Sequence, residues 1–299
     1  MRLYPFVTVD VFTEQRFGGN PLAVVTDARG ISDAEMQALA SEFNYSETTF
    51  VLPPDDPAHT AKVRIFNRTY EMPFAGHPNV GTGYVLAGLG RGDRLVFEEQ
   101  AGLVEVEVER DRGGALTGAI IAAPQPLSLG TELPVEDVAA CIGLTASDVV
   151  LRAHPPLVAS VGIGFVLVEV EGAALSRAAP GLEAFRRLLG KSPALDGRLA
   201  IHLYTQDLGT QDGFDRLRTR MFSPLAGTYE DPATGSANAA LAALLLSLGS
   251  QERRDFKITQ GVEMGRPSAL TLSAYRAPDG VRAKVGGSCV PVFKGEARL

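Results

Sequence analysis

Short runs of alternating apolar and polar residues dominate this chain. Tyr4 to Val11, Lys62 to Phe66, Val104 to Val108, Val166 to Val170 and Ala269 to Leu272 follow or approach a period of two, which predicts strands with one buried face; Leu22 to Val25 reads as a fully buried strand. Two segments break the pattern. Pro78 to Leu89 and Ala237 to Leu248 are small or apolar on every side, and a helix with no polar stripe has no face to give to water. At about 12 residues each they are too short to span a bilayer and suit a helix enclosed by a rolled sheet. One amphipathic helix opens at Ser32, with Glu35 as the second member of a capping box, and runs through Met36, Leu39, Ala40 and Phe43.

The two apolar helices belong to a repeat. Thr69-Tyr-Glu-Met-Pro-Phe-Ala-Gly-His-Pro-Asn79 aligns with Thr228-Tyr-Glu-Asp-Pro-Ala-Thr-Gly-Ser-Ala-Asn238, with Thr, Tyr, Glu, Pro, Gly and Asn identical at one constant offset. Upstream, Arg64-Ile-Phe66 matches Arg220-Met-Phe222 after a short slip, and downstream Gly90 matches Gly249. Each copy reads strand, loop, helix. The stretch from Ala122 to Pro134, with three prolines and Gly130, separates the copies and predicts the domain boundary. The expectation is an α+β protein of two similar domains related by a pseudo-twofold axis, each an antiparallel sheet rolled round a central buried helix. The first covers residues 1–125, completed by a C-terminal strand at 285–299, and the second covers 126–284.

Composition narrows the chemistry. With 45% hydrophobic and 21% charged residues among 299, the chain is an ordinary globular protein. A net charge of -7 without a basic cluster argues against nucleic acid, and no apolar run is long enough for a membrane span. The two cysteines, Cys141 and Cys289, form no CxxC pair, and the four histidines are scattered, so neither a disulfide framework nor a metal site is expected. No Walker or GxGxxG segment calls for a nucleotide, and the expected cofactor is none. These features, with an N-terminus unlike a signal peptide, predict a cytoplasmic protein. Packed about a pseudo-twofold axis, the helix starts at Gly76 and Gly235 would converge on one cleft. Their free N–H groups and positive dipole ends would hold a carboxylate there; the alternative is ordinary capping by Ser236 beside a turn glycine.

The chain resembles the PhzF family of phenazine-biosynthesis-like isomerases, which share the diaminopimelate epimerase fold. The resemblance lies in Gly19-Asn-Pro21, Ser46-Glu-Thr-Thr-Phe-Val51, Pro73-Phe-Ala-Gly-His-Pro78, Arg220-Met-Phe-Ser-Pro224, Glu230-Asp-Pro-Ala-Thr-Gly-Ser-Ala237 and Gln260-Gly-Val-Glu-Met-Gly-Arg-Pro-Ser268. It implies a site between two like domains, with Glu47 as the acid/base and His77 and Asp231 orienting the substrate. Ser236, the repeat partner of His77, becomes a substrate-binding candidate, with Gly76, Gly235 and Asn20 behind it. Related epimerases carry a cysteine before each helix-start glycine; here Ala75 and Thr234 stand there, which excludes a two-thiol mechanism. The implied activity is cofactor-independent isomerisation of a small carboxylate-bearing molecule, of the trans-2,3-dihydro-3-hydroxyanthranilate type, by a homodimer. The alternatives are a single-base epimerase or racemase of an amino-acid-like compound and a catalytically silent binding or interaction protein.

Overall fold

The computed structural model describes residues 1–206 and 208–299. Its helices are α1 (Asp33–Phe43), α2 (Gly76–Gly88), α3 (Val135–Cys141), α4 (Gly172–Leu175), α5 (Leu182–Lys191) and α6 (Gly235–Ser247). Ser32 caps α1 as expected, accepting from the Glu35 N–H while the Glu35 carboxylate accepts from the Ser32 N–H at 2.8 Å. Both apolar helices are present, each beginning at the glycine itself, two residues before the expected start.

Eight strands close a ring of hydrogen-bonded neighbours round α2. Leu3–Val11 pairs with Asn20–Val25, then follow Glu47–Leu52, Ala61–Asn67, Arg94–Glu99, Gly102–Arg110 and Leu116–Ala122, and Gly280–Arg298 returns to Leu3–Val11. The expected antiparallel sheet is a mixed one. Asn20–Val25 lies parallel to Glu47–Leu52, and Ala61–Asn67 parallel to Arg94–Glu99. A parallel pair needs a crossover, and α1 and α2 supply it. The same order recurs beside α6. Gly164–Glu169 and Ile201–Thr205 are parallel across α5, and Phe214–Ser223 and Arg253–Gln260 are parallel across α6. Gly280–Arg298 serves both arrays, pairing first with Ser268–Ala277 and then, from Cys289 to Arg298, with Leu3–Val11.

Enclosure explains the composition of the two helices. A Cβ on Gly81 would come within 2.6 Å of Leu22 Cδ2, and one on Gly83 within 2.5 Å of Val106 Cγ1. Glycine costs about 1 kcal/mol in a helix interior relative to alanine, and here only hydrogen fits. In α6, Ala239, Ala240, Ala242 and Ala243 and the larger Leu241, Leu244, Leu245 and Leu246 are all buried in one apolar core. Each such leucine contributes about 1.5–3 kcal/mol by leaving water.

Two features are not expected from the sequence. The stretch from Ala122 to Pro134 contains a strand, Ser128–Glu132, paired with Leu157–Ser160. All five of its residues are exposed, so it lacks the buried face that period-two patterning detects. In addition, α3 and α5 pack with α4 into a second apolar cluster including Val138, Leu175, Phe185 and Leu188. Their starts are at Pro134 and Gly181, without a side-chain cap, so neither carried a capping-box signal.

Candidate active site

The site begins with the contact between the two helix starts. A Cβ on Gly76 would lie 2.7 Å from the Ser236 nitrogen and 2.8 Å from the Gly235 Cα, and one on Gly235 would lie 3.1 Å from the Gly76 Cα. The obstacles are backbone atoms, so glycine is required at Gly76 by proximity rather than by dihedral angle. Neither helix has a side-chain cap; Thr234, not Ser236, is the residue before α6. Two sets of first-turn N–H groups thus meet at one point, with both positive dipole ends beside it.

A cavity of about 530 Å³ opens onto this junction. Glu47, Gly76, His77, Asp231, Gly235 and Ser236 all line it. Apolar side chains of Met72, Ile163, Phe165, Leu199, Met221 and Leu225 also line it, among polar and charged ones such as Glu71 and Arg198. Asn20 does not line the cavity. It is wholly buried beneath, its amide donating to Asp231 Oδ1 at 2.9 Å and to the Ala233 carbonyl at 2.8 Å, with His77 Nδ1 at 3.3 Å.

Glu47 opens the strand Glu47–Leu52 and His77 is the second residue of α2, so a strand edge and a helix start bring Glu47 Oε2 to 3.3 Å from His77 Nδ1. Burial pushes the imidazole down to about 3, against an opposing backbone contact with Pro21, so it is neutral near pH 7. The contact is therefore not an ion pair, and His77 Nε2 and Glu47 Oε2 are both buried without a hydrogen-bond partner among the described residues.

Two buried carboxyl groups share this space, and their surroundings differ. Asp231 is 4% exposed and accepts three bonds: from Asn20 Nδ2 and Ser46 Oγ at 2.9 Å to Oδ1, and from Thr234 Oγ1 at 2.6 Å to Oδ2. Burial raises its pKa, while those bonds and the charge of Arg68 work against the rise. For Glu47, burial and then the charge of Asp231 push the carboxyl well above the usual range, with only Arg68 opposing. Donors stabilise an anion, so of the two groups Asp231 is the better supported in its ionised form and Glu47 the one pushed further towards protonation.

Sequence reasoning missed Ser46, Thr234, Gln260 and Arg68 as contributors. Gln260 donates to the Asp231 carbonyl at 2.8 Å and accepts from Asn238 Nδ2 at 2.8 Å, tying the loop before α6 to its first turn. Arg68 donates to the Asn44 carbonyl and to Thr228 Oγ1, linking the end of α1 to Thr228 of the cavity lining. Ser46, Thr234 and Gln260 stood in the motifs already singled out; nothing local distinguished Arg68. Among the described residues, no group of three or more His, Cys, Asp or Glu side chains could hold a metal ion. Cys141 and Cys289 are buried and away from the cavity lining, and burial pushes the Cys141 thiol up to about 12.

Comparison with known proteins agrees with this architecture. The family model described as phenazine biosynthesis-like protein matches residues 9–295. An uncharacterised isomerase of Mesorhizobium japonicum is 37% identical, covering 99% of both chains. The trans-2,3-dihydro-3-hydroxyanthranilate isomerase of Pseudomonas chlororaphis is 34% identical, over 98% of this chain and 99% of that one. The crystal structure of a PhzF-family phenazine biosynthesis protein from Bacillus anthracis superposes with a TM-score of 0.85 at 25% identity, covering 100% of both chains. Matched from end to end at the level of sequence and of fold, this isomerase belongs to the phenazine biosynthesis-like, or PhzF, family.

Proposed function

We propose that this isomerase moves a proton between carbons of a small carboxylate-bearing substrate, with Glu47 as the only acid/base and no cofactor. The observation that carries the reading is the inequality of the two carboxyl groups: Glu47 faces the cavity with Oε2 unpartnered, while Asp231 is held by three donors. Ionised Glu47 removes a proton from the substrate carbon, and the acid so formed returns it to another carbon of the same unsaturated system. A dry pocket that raises a carboxyl towards neutrality suits both halves of that cycle. The substrate carboxylate lies against the first-turn N–H groups of α2 and α6, with Ser236 beside it. Neutral His77 and anionic Asp231 orient polar substituents, and the apolar Met72, Ile163 and Phe165 side chains take the ring or alkyl part.

The relatives named trans-2,3-dihydro-3-hydroxyanthranilate isomerase make that compound the first substrate to test. The two similar halves form a pseudo-symmetric pair, and the protein works as a cytoplasmic homodimer; among the described residues no helix is long and apolar enough to cross a membrane. The test is incubation with this compound and a panel of small aromatic and alicyclic carboxylates, followed by NMR and mass spectrometry. Isomerisation at unchanged mass is the expected outcome. A folded protein that isomerises none of the panel overturns the reading.

A further inference from the structure

A third buried carboxyl group lies outside the proposed chemistry. Glu99 ends the strand Arg94–Glu99, whose inward residues Leu95 and Phe97 are buried in the core that also holds Val80, Val85 and Leu86 of α2, and both of its carboxyl oxygens are buried without a hydrogen-bond partner meeting normal geometry among the described residues. Its side chain lies against Asn79 in the first turn of α2. The next residues hold the same region, since the Ala101 N–H donates to the Pro73 carbonyl at 3.0 Å, just before that helix.

The register identifies its counterpart. Lys62 pairs with Glu98 as Arg218 pairs with Thr259, so Glu99 occupies the place that Gln260 occupies under α6. Asn79 Nδ2 donates to the Ala75 carbonyl at 3.0 Å, and Asn238 Nδ2 donates to the Thr234 carbonyl at 3.0 Å. On the α6 side the third member is an amide, with Gln260 Oε1 accepting from Asn238 and Nε2 donating to the loop carbonyl of Asp231. A protonated carboxyl offers the same pair, one acceptor and one donor; a carboxylate offers acceptors only.

Nearby charges do not compensate an anion at this place. The groove beside Glu99 contains Asp55, Lys62, Arg64, Glu71 and Glu98. Lys62 is paired with Asp55 at 2.7 Å, Arg64 with Glu71 and Asp33 at 2.6 Å, and Glu98 accepts from the Asp55 and Asp56 N–H groups and contacts His59. Among the described residues only the Asn79 amide acts on Glu99, and burial outweighs it, raising the carboxyl well above its usual range.

We propose that Glu99 is a positioning residue for the first turn of α2, acting under His77 as Gln260 acts under the α6 turn, and that loss of its proton unseats that turn. The turnover part rests on the acid/base reading of Glu47; the structural part does not. The test compares wild type, Glu99→Gln, Glu99→Ala and Gln260→Glu in thermal unfolding, His77 ring NMR and the pH profile of kcat and KM.

Because the folded state holds the Glu99 proton more tightly than the unfolded state, its contribution is full below about pH 4.3 and is lost as pH rises. Glu99→Gln is therefore expected to gain in Tm over wild type progressively above that pH. It should retain kcat at alkaline pH where wild type loses it, with the His77 resonances no longer shifting. Glu99→Ala should lose about 10- to 100-fold in kcat by misplacing His77, with a smaller change in KM. Gln260→Glu should acquire an alkaline loss of its own. Superimposable pH profiles of Tm and His77 resonances for wild type and Glu99→Gln would overturn the proposal, whether or not Glu99→Ala folds. The expected profiles with no detectable turnover would instead refute the acid/base reading while leaving the positioning role in place.

Discussion

The first turn of α2 and the first turn of α6 have the same backbone surroundings and different chemistry. Matching Arg64-Ile-Phe66 to Arg220-Met-Phe222 through the strand registers sets Glu47 against Ala200, Asn20 against Ile163, Met72 against Asp231 and His77 against Ser236. In one pairing a buried amide meets a buried carboxylate, Asn20 to Asp231 at 2.9 Å; their repeat counterparts Ile163 and Met72 are apolar and both line the cavity. The position of Glu47 is taken in the other half by Ala200, which lines the same cavity and brings no second carboxylate to it. Two like frames thus produce a polarised pocket, with one side suited to move a proton and the other to hold carbon.

The sharpest way to break this contrast is to remove the carboxylate proposed as the base. Glu47→Gln keeps the size of the side chain, and kcat is expected to fall by about 10²–10⁴-fold with ligand affinity and Tm little changed. Steady-state kinetics on an accepted substrate, with calorimetric binding, checks it. Near-wild-type turnover in a folded variant would move the chemistry to Asp231.

The junction itself comes next. Gly76→Ala puts a methyl group 2.7 Å from the Ser236 nitrogen, so the helix starts must part. The expected losses are about 1–3 kcal/mol of stability and up to about 10²-fold in kcat. Gly90→Ala, at a position with open space but a positive φ of 82°, separates the two kinds of glycine: it strains the backbone and leaves the cavity alone. Equal kinetic damage from both substitutions would mean that close approach of the helix starts is irrelevant to turnover.

A smaller effect distinguishes the two carboxyl groups. The charge of Asp231 helps to raise Glu47, so Asp231→Asn removes that repulsion and lowers the Glu47 pKa. Proton abstraction needs ionised Glu47, and the acid limb of kcat should therefore move to lower pH while the maximal rate falls through poorer orientation. An acid limb that stays in place or moves upward would show that the two groups do not titrate against each other.

Much of this frame was readable from residue order because buried elements leave strong periodic signals. The helices α2 and α6 were visible in stretches without a polar face, and the repeat Thr69–Asn79 over Thr228–Asn238 carried both glycines that meet at the junction. Glu47 was different: one glutamate among 35 acidic residues has no local mark, and only the family resemblance singled it out. The parallel crossovers and the exposed strand Ser128–Glu132 were hidden, because pairing direction is a property of the assembled sheet and an exposed edge buries nothing. Arg68 and Ser46 act through partners far away in sequence, Thr228 for Arg68 and Asp231 for Ser46, and no spacing rule finds them, whereas Thr234 bonds Asp231 only three residues away.

The effect expected to be smallest at neutral pH concerns a titrating group on one side only. His202 stands where the register puts Thr49: His202 Nε2 contacts Asn238 Oδ1 at 3.0 Å, whereas the Thr49 hydroxyl bonds Thr82 at 2.8 Å and leaves Asn79 Oδ1 buried without a partner among the described residues. Burial lowers the His202 pKa from 6.5 to about 4, so the unfolded chain binds its proton first as pH falls. The sign follows: His202 costs no stability above about pH 6.5, and stability is lost progressively from there towards pH 4, by about 3 kcal/mol in all. His77 acts in the same direction, while Glu47 and Glu99, whose folded pKa values are raised, act in the opposite one. His202→Gln keeps an amide donor for Asn238 and removes the titration. Its Tm should match wild type closely at pH 7.5 and exceed it increasingly between pH 6 and 4, as read by calorimetry across that range. Parallel Tm curves for the two proteins would show that the α6 side carries no more acid sensitivity than its threonine-built counterpart.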